Sequence, residues 1–86
     1  MVNKVNKIIG NKLKQLRKLN NISLRKLAKK TGLSHSFISD IEHGRCNPSI
    51  ETLLTLAQAF EVKPEFFLNE MVAKNERYKE KTQSTA

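Results

Sequence analysis

Short polar side chains follow Ser34 at the positions that form one face of a helix. They lie first, second, fifth and sixth after that serine and are His35, Ser36, Ser39 and Asp40. Such side chains donate and accept hydrogen bonds. In the major groove of B-DNA, which is wide enough for a helix, each base pair presents a distinct set of donors, acceptors and methyl groups. The pattern therefore predicts a helix whose exposed face can read base sequence.

The chemistry of each side chain determines what it can read. Serine and histidine side chains can hydrogen-bond to several kinds of base. Asp40 can accept a hydrogen bond from the amino group of cytosine, or it can exclude other bases. Phe37 lies in the same segment and has two interpretations of equal weight. It can contact a thymine methyl group, or it can belong to the protein core.

Two helix signals on either side of Gly32 position this segment. Ser23 is a typical N-cap, and apolar residues recur after it at helical spacing up to the glycine. Glycine ends a helix readily because it adopts positive φ without steric cost, and Ser34 then caps a second helix that ends before His43. A short turn containing glycine, with the small Ala28 where the two helices cross, is typical of a helix-turn-helix.

The segment resembles the helix-turn-helix of the phage lambda repressor and Cro family, also called the XRE family. The matching residues are Leu27, Ala28, Gly32, Leu33, Ile38 and Ile41, followed by the ending IEHG. The resemblance continues through PSIETLLTLAQAFEV and PEFF, so it covers residues 9–68. It implies an all-α fold, a compact five-helix lambda-repressor-like domain that binds double-stranded DNA.

The resemblance also assigns positions on the recognition helix. The base-reading positions, nearest the bases first, are His35, Ser36, Phe37, Ser39 and Asp40. The chain departs from the family at Leu24, where many relatives carry a glutamine that bridges a phosphate and the recognition helix. Leucine cannot form that bridge, so the base preferences of those relatives do not transfer to this chain.

Phosphate contacts are expected to hold such a helix in register on the DNA. Free backbone N–H groups and the dipole at a helix N-terminus favour an anion, which indicates Ser23 and Leu24. The other predicted phosphate contacts come from basic or polar side chains near the two helices, namely Arg25, His43, Arg45 and Asn47.

Arg17 and Glu42 are predicted to form a structural ion pair. The resemblance implies this pairing and implies that it is largely buried. An independent argument supports it, because a carboxylate at the C-terminal end of a helix opposes the helix dipole and would repel DNA phosphates. Glu42 is therefore expected to turn inward towards a cation.

The whole chain divides into an arm, a domain and a tail. We expect a flexible arm over residues 1–7, the DNA-binding domain over residues 8–69, and a C-terminal helix extension or tail over residues 70–86. Helix one is predicted from Ile8 or Ile9 to about Leu19, helix four opens at Pro48 and Ser49, and helix five begins at residue 64. The core positions predicted for helices four and five are Ile50, Leu53, Leu54, Leu56, Ala57, Phe60, Phe66 and Phe67.

The charge of the chain is unevenly distributed. The net charge is +8, and residues 1–45 carry 11 Lys or Arg against two acidic residues, whereas residues 46–86 carry 5 against six. Because the cationic excess lies in the half that contains the helix-turn-helix, it predicts one binding face for a polyanion. A chain of 86 residues accommodates one domain with a small core and is too small for an enzyme with a deep cleft.

Other functions lack support in the sequence. It contains no nucleophile with a base partner, no carboxylate pair in an apolar setting and no phosphate-binding glycine loop, so we predict neither an enzyme nor a cofactor. His35, His43 and Cys46 do not supply the converging ligands of a metal site. No signal peptide or membrane span is present, and the single cysteine cannot form an internal disulfide, so we expect a cytoplasmic protein.

These patterns predict a sequence-specific transcriptional regulator that binds a near-palindromic operator as a homodimer. Repression by blocking polymerase is the preferred interpretation, and activation by contacting polymerase stays open, because the residues do not choose between them. One recognition helix covers half a site, and two-fold symmetry places two of them about 34 Å apart, one turn of DNA. Phe67, Met71 and Tyr78 can share a stripe that serves equally as a dimer surface or as local packing. An antagonist protein can regulate such a repressor. The alternative is a protein-interaction module or antitoxin-type partner of another protein, with DNA binding secondary.

Overall fold

The computed structural model describes residues 4–68, which form four α-helices and a 3₁₀ helix. α1 spans Lys4–Leu19, α2 spans Leu24–Thr31, α3 spans His35–Glu42, α4 spans Ile50–Phe60, and the 3₁₀ helix spans Pro64–Leu68. The predicted all-α fold is confirmed, with a short 3₁₀ helix in place of a fifth α-helix. The predicted extension or tail over residues 70–86 lies outside the described residues.

α1 begins earlier than the sequence pattern predicted. It starts at Lys4, so residues 4–7 of the expected arm are helical, and residues 1–3 lie outside the described residues. Asn6, Ile8 and Ile9 are all buried. Within the extra turn only Asn6 is buried, on the same side of α1 as the predicted core residues, whereas Lys4, Val5 and Lys7 are exposed.

One core joins all five helical segments. The side chains that are less than 2% exposed are Phe67, Leu13, Leu27, Ile38, Ile41 and Leu56. Phe66 packs edge-on against Phe67, with ring centroids 5.9 Å apart, and closes the core as predicted. The complete burial of Phe67 excludes it from a dimer surface, and Met71 and Tyr78 lie outside the described residues. Because every segment contributes to one close-packed core, α2 and α3 are held rigidly on the remaining helices.

α1 and α3 approach each other closely at Gly10. A Cβ atom there would collide with the carbonyl oxygen of Ile41 and lie 2.7 Å from that of Glu42. Only glycine lets the two backbones come this near, since any other residue carries that Cβ. Gly10 therefore fixes the C-terminal end of α3 against α1.

Two predicted core residues of α4 are exposed. Ile50 is 74% exposed and Leu54 is 44% exposed, whereas Leu53, Leu56 and Ala57 are buried. Ile50 and Leu54 are four residues apart and share the side of the helix that faces away from the core. Assigning both to the core was wrong because the apolar residues of α4 extend around more of its circumference than the neighbouring helices cover.

Candidate nucleic-acid interface

Caps on both sides of the turn fix the angle between α2 and α3. The hydroxyl oxygens of Ser23 and Ser34 each accept a hydrogen bond from the backbone N–H three residues later, at 3.1 and 3.0 Å. Gly32 ends α2 with a φ of 79°, and its N–H donates to the carbonyl oxygen of Ala28 at 2.8 Å. The predicted caps and the predicted glycine stop are confirmed, and they position α3 relative to α2.

Thr31 contributes to this turn in a way that sequence reasoning missed. Its hydroxyl donates to the carbonyl oxygen of Leu27 at 2.8 Å and accepts from the N–H of Leu33 at 3.2 Å. The side chain thus links the last turn of α2 to the connection that leads into α3. The available signal was a threonine directly before the helix-ending glycine, since threonine hydroxyls commonly bond to nearby backbone groups.

The predicted base-reading residues lie along α3 with different exposure. His35 and Ser36 at its start are exposed, whereas Ser39 and Asp40 are half-buried. Phe37 is also half-buried and packs against the core. The first turn of α3 is therefore the most accessible part of the helix, and Phe37 has a packing role whatever else it contacts.

The predicted phosphate-binding residues lie near the N-terminus of α2 and in the loop after α3. Those whose side chains are exposed are Ser23, Arg25, His43, Arg45 and Asn47. Leu24 is half-buried and packs against the core, so it can offer only its backbone N–H to an anion. The Ser23 hydroxyl is already engaged as a helix cap.

α3 holds the His43 ring in a defined orientation. Its Nδ1 lies 2.8 Å from the carbonyl oxygen of Ser39. A carbonyl oxygen can only accept, so Nδ1 is the donor and carries a hydrogen. The other ring nitrogen, Nε2, is therefore the atom available for a contact outside the protein.

α3 ends in a Schellman motif that connects two predicted site residues. Gly44 has a φ of 72° and donates its N–H to Ile41, while the N–H of Arg45 donates to the carbonyl oxygen of Asp40 at 2.9 Å. This backbone geometry brings the side chains of Asp40 and Arg45 together, with Nη1 3.3 Å from Oδ1. Sequence reasoning assigned these residues separate roles and missed their contact, although Gly44 at the helix end was the signal for it.

Arg17 and Glu42 lie in contact behind the exposed face of α3. Arg17 donates from Nε and Nη2 to the two carboxylate oxygens of Glu42, at 2.7 and 3.1 Å, and from Nη1 to the carbonyl oxygen of Ile22. The Glu42 side chain is only 4% exposed. The hydrogen bonding to Glu42, together with the charge of that carboxylate, raises the pKa of Arg17, although burial acts in the opposite direction. Glu42 is thus directed inward, and its carboxylate is withheld from the surface.

Exposed cations lie on α1 and, more densely, on the shorter α2. Those on α2 are Arg25, Lys26, Lys29 and Lys30, and those on α1 are Lys4, Lys7, Lys14 and Lys18. In contrast, residues 46–62 contain no lysine or arginine. The half that contains α2 and α3 is therefore the one that attracts a polyanion.

Cys46 is half-buried in the loop after α3. Burial, with a smaller effect from the charge of Asp40, raises the pKa of its thiol.

Within residues 4–68, no three His, Cys, Asp or Glu side chains lie close enough together to hold a metal ion. No helix in this part of the chain is both long enough and apolar enough to span a membrane.

Two capped helices joined at a glycine, with an accessible polar face on the second and an ion pair behind it, define a helix-turn-helix protein. Residues 13–67 match the helix-turn-helix family HTH_3, and the chain belongs to this family.

Named relatives and a solved structure are similar to the chain. The immunity repressor protein of Bacillus phage phi105 is 38% identical over 55 residues, which is 64% of this chain and 38% of that protein. Control protein C.BamHI of Bacillus amyloliquefaciens is 34% identical over 70 residues, 80% of this chain and 86% of that protein. The restriction-modification controller protein C.Esp1396I, solved as a tetramer in complex with its natural 35 base-pair operator, has a TM-score of 0.71 and 26% identity, covering 84% of this chain and 93% of that one. The chain spans well under half the length of the phage repressor, whereas it spans most of the control protein.

Proposed function

We propose that the chain is a sequence-specific DNA-binding transcriptional regulator that inserts α3 into the major groove. The observation that carries this proposal is the accessible polar start of α3, held at a fixed angle by the caps at Ser23 and Ser34. The cationic surface of α2 supports it, because such a surface supplies the sequence-independent part of DNA affinity. Relatives named as a repressor and a control protein, and a structural neighbour solved on its operator, support the same class.

In this proposal, the more exposed side chains of α3 make the nearer contacts to the bases. His35 and Ser36 make the nearest contacts because both are exposed at the start of the helix. Ser39 and Asp40, which are half-buried, contact bases further along the groove. Phe37 offers the rim of its ring to a thymine methyl group while the rest packs on the core.

Phosphate contacts flank this reading helix on both sides. At the N-terminus of α2, Ser23 and Leu24 offer backbone N–H groups, and Arg25 adds an exposed guanidinium. In the loop after α3, the contacts come from the exposed side chains of His43, Arg45 and Asn47. Such contacts orient the protein on the duplex but carry no sequence information themselves.

The regulator acts as a homodimer on a near-palindromic operator, and two copies meet through α4. Ile50 and Leu54 form an exposed apolar pair on a stretch without lysine or arginine. Two chains of net charge +8 approach each other most easily where cations are absent. Leu54→Lys is expected to raise the concentration needed for self-association at least tenfold in analytical ultracentrifugation. Leu19→Lys, at an exposed leucine of α1, is the matched control and should leave self-association unchanged.

Repression is the regulatory action that we propose. A dimer seated on an operator that overlaps a promoter excludes polymerase without any additional domain. An antagonist protein that covers α3 or separates the dimer provides a route to regulation within this scheme.

Selection from a randomised duplex library at about 150 mM salt tests the proposal, because DNA specificity depends on ionic strength. We expect a paired motif with a fixed half-site spacing. His35→Ala and Ser36→Ala should relax the base preference at specific positions, by about 1 to 3 kcal/mol for each lost base contact. Gln15→Ala, at an exposed position of α1 outside the proposed DNA and dimer surfaces, is the control and should select the same motif as the unmodified chain.

A folded protein that selects no motif would contradict the proposal. That result would favour the alternative, in which the same helices bind another protein.

A further inference from the structure

Asp40 and Arg45 form an ion pair at the exposed C-terminal end of α3. Arg45 Nη1 lies 3.3 Å from Asp40 Oδ1, and the side chains are 60% and 47% exposed. An ion pair with this exposure contributes little to folding stability. Its position between a predicted phosphate contact and a predicted base contact indicates an effect on binding instead.

The backbone at the end of α3 places these two residues close together. In a Schellman motif, the third-last residue of the helix and the third residue after the helix are joined through their backbones and commonly also share an apolar contact. Here those two positions are Asp40 and Arg45, and the backbone bond between them measures 2.9 Å. Opposite charges stand where an apolar pair is usual, so the backbone brings the guanidinium within reach of the carboxylate.

Asp40 is the available acidic partner in this half of the chain. Residues 4–45 contain only two acidic side chains, Asp40 and Glu42. Glu42 is 4% exposed and bound by Arg17, so it cannot compete for Arg45. The negative charge of Asp40 is therefore placed within a cationic surface and directly beside one of its cations.

We propose that Asp40 competes with DNA phosphate for Arg45 and thereby determines specificity, an inference that rests on the proposed function. On nonspecific DNA, Arg45 remains shared with Asp40 and contributes less to affinity. On the operator, Arg45 moves to a phosphate, and the freed carboxylate oxygens accept a hydrogen bond from a cytosine amino group. The phosphate contact and the base contact are thus coupled, and the pair lowers affinity where no suitable base is offered.

A double-mutant cycle tests this coupling. The affinity of the unmodified chain, Asp40→Asn, Arg45→Gln and the double variant is measured against a duplex of random sequence from about 50 to 200 mM salt. Asp40→Asn is expected to tighten binding roughly threefold, the scale of an exposed ion pair. It should also steepen the slope of log affinity against log salt by about 0.9, which corresponds to one additional phosphate contact. In the Arg45→Gln background, the same change should alter affinity by less than half as much on a logarithmic scale and leave the slope unchanged.

Glu65→Gln is the matched control, because Glu65 is an exposed acid on the 3₁₀ helix, outside both the proposed DNA interface and the proposed dimer surface. It should change neither affinity nor slope. Thermal unfolding of each variant confirms that all remain folded, as expected for substitutions at exposed side chains. On the selected operator, Asp40→Asn should reduce the ratio of specific to nonspecific affinity.

Equal effects of Asp40→Asn with and without Arg45 would overturn the inference, because they indicate simple repulsion of phosphates by a carboxylate. In that case the proposed function stands, since all four proteins bind DNA. Absence of DNA binding by the folded, unmodified chain would instead overturn the proposed function and this inference together.

Discussion

Two parts of the domain contribute to the same core but present chemically different surfaces. They are the α2–α3 half, residues 23–47, and the α4 half, residues 48–68. The first half exposes cations and short polar groups, and hydrogen bonds fix both ends of α3. The second half carries one cation, Lys63, and exposes the apolar Ile50 and Leu54. Core burial therefore does not distinguish the two halves, whereas their surface chemistry does.

This difference separates two kinds of residue. Leu27 and Ile38 in the first half, and Leu56 and Phe67 in the second, are all completely buried, so substitutions at any of them disturb the whole domain. Exposed residues act locally, and their effects depend on which half carries them. Substitutions can therefore be chosen to alter the shared scaffold or only one surface.

Loss of the buried ion pair should give the largest effect. Arg17→Ala leaves Glu42 buried without a cation and is expected to reduce the free energy of unfolding by about 3 to 5 kcal/mol in denaturant titrations. Arg25→Ala, at an exposed arginine, is the control and should change stability by less than about 0.5 kcal/mol.

Replacing both partners tests the reason for that loss. Arg17→Leu combined with Glu42→Leu removes the uncompensated charge and should recover most of the stability. Equal stability of Arg17→Ala and the unmodified chain would contradict a structural role for the pair.

Two glycine substitutions compare a steric clash with backbone strain. Gly10→Ala places a Cβ against the backbone of α3 and should destabilise the domain by about 1 to 3 kcal/mol or more. Gly32→Ala meets no atom within 4 Å, so its effect is limited to the strain of a φ of 79°, about 1 to 2 kcal/mol. Thermal and denaturant unfolding of the two variants measures both effects. A larger loss at Gly32 than at Gly10 would contradict the close approach of α1 and α3.

Matched cation substitutions compare the two surfaces directly. Arg25→Ala removes a proposed phosphate contact and should lower the slope of log affinity against log salt by about 0.9 on any duplex. Lys63→Ala removes the same charge from the α4 half and should leave the slope unchanged. Equal reductions would indicate a diffuse attraction by net charge rather than a defined binding face.

Local signals made the helix-turn-helix predictable from the sequence. Ser23, Gly32 and Ser34 act through hydrogen bonds and dihedral angles within a few residues of themselves, so their roles follow from residue type and spacing. The all-α fold and its core followed from helical periodicity for the same reason.

Most of the features that were missed depend on residues distant in sequence or on exposure, whereas the contacts of Thr31 and of Asp40 with Arg45 are local. Nothing in the sequence around Gly10 indicates that the backbone of Ile41 lies against it. The early start of α1 coincides with burial of Asn6, a polar residue that the apolar pattern does not assign to the core. The apolar character of Ile50 and Leu54 predicted burial, but no described helix covers them. The contact between Asp40 and Arg45 required the backbone conformation at the end of α3.

Mapping the DNA-induced changes in backbone amide chemical shifts tests the central claim most directly, namely that the α2–α3 half is the DNA-binding surface. The ¹⁵N-labelled chain is titrated with a duplex carrying the selected operator. The largest changes are expected at residues 23–25, 34–40 and 43–47, with residues 55–66 nearly unaffected. Maximal changes along α4 and the 3₁₀ helix, with α3 unaffected, would contradict it.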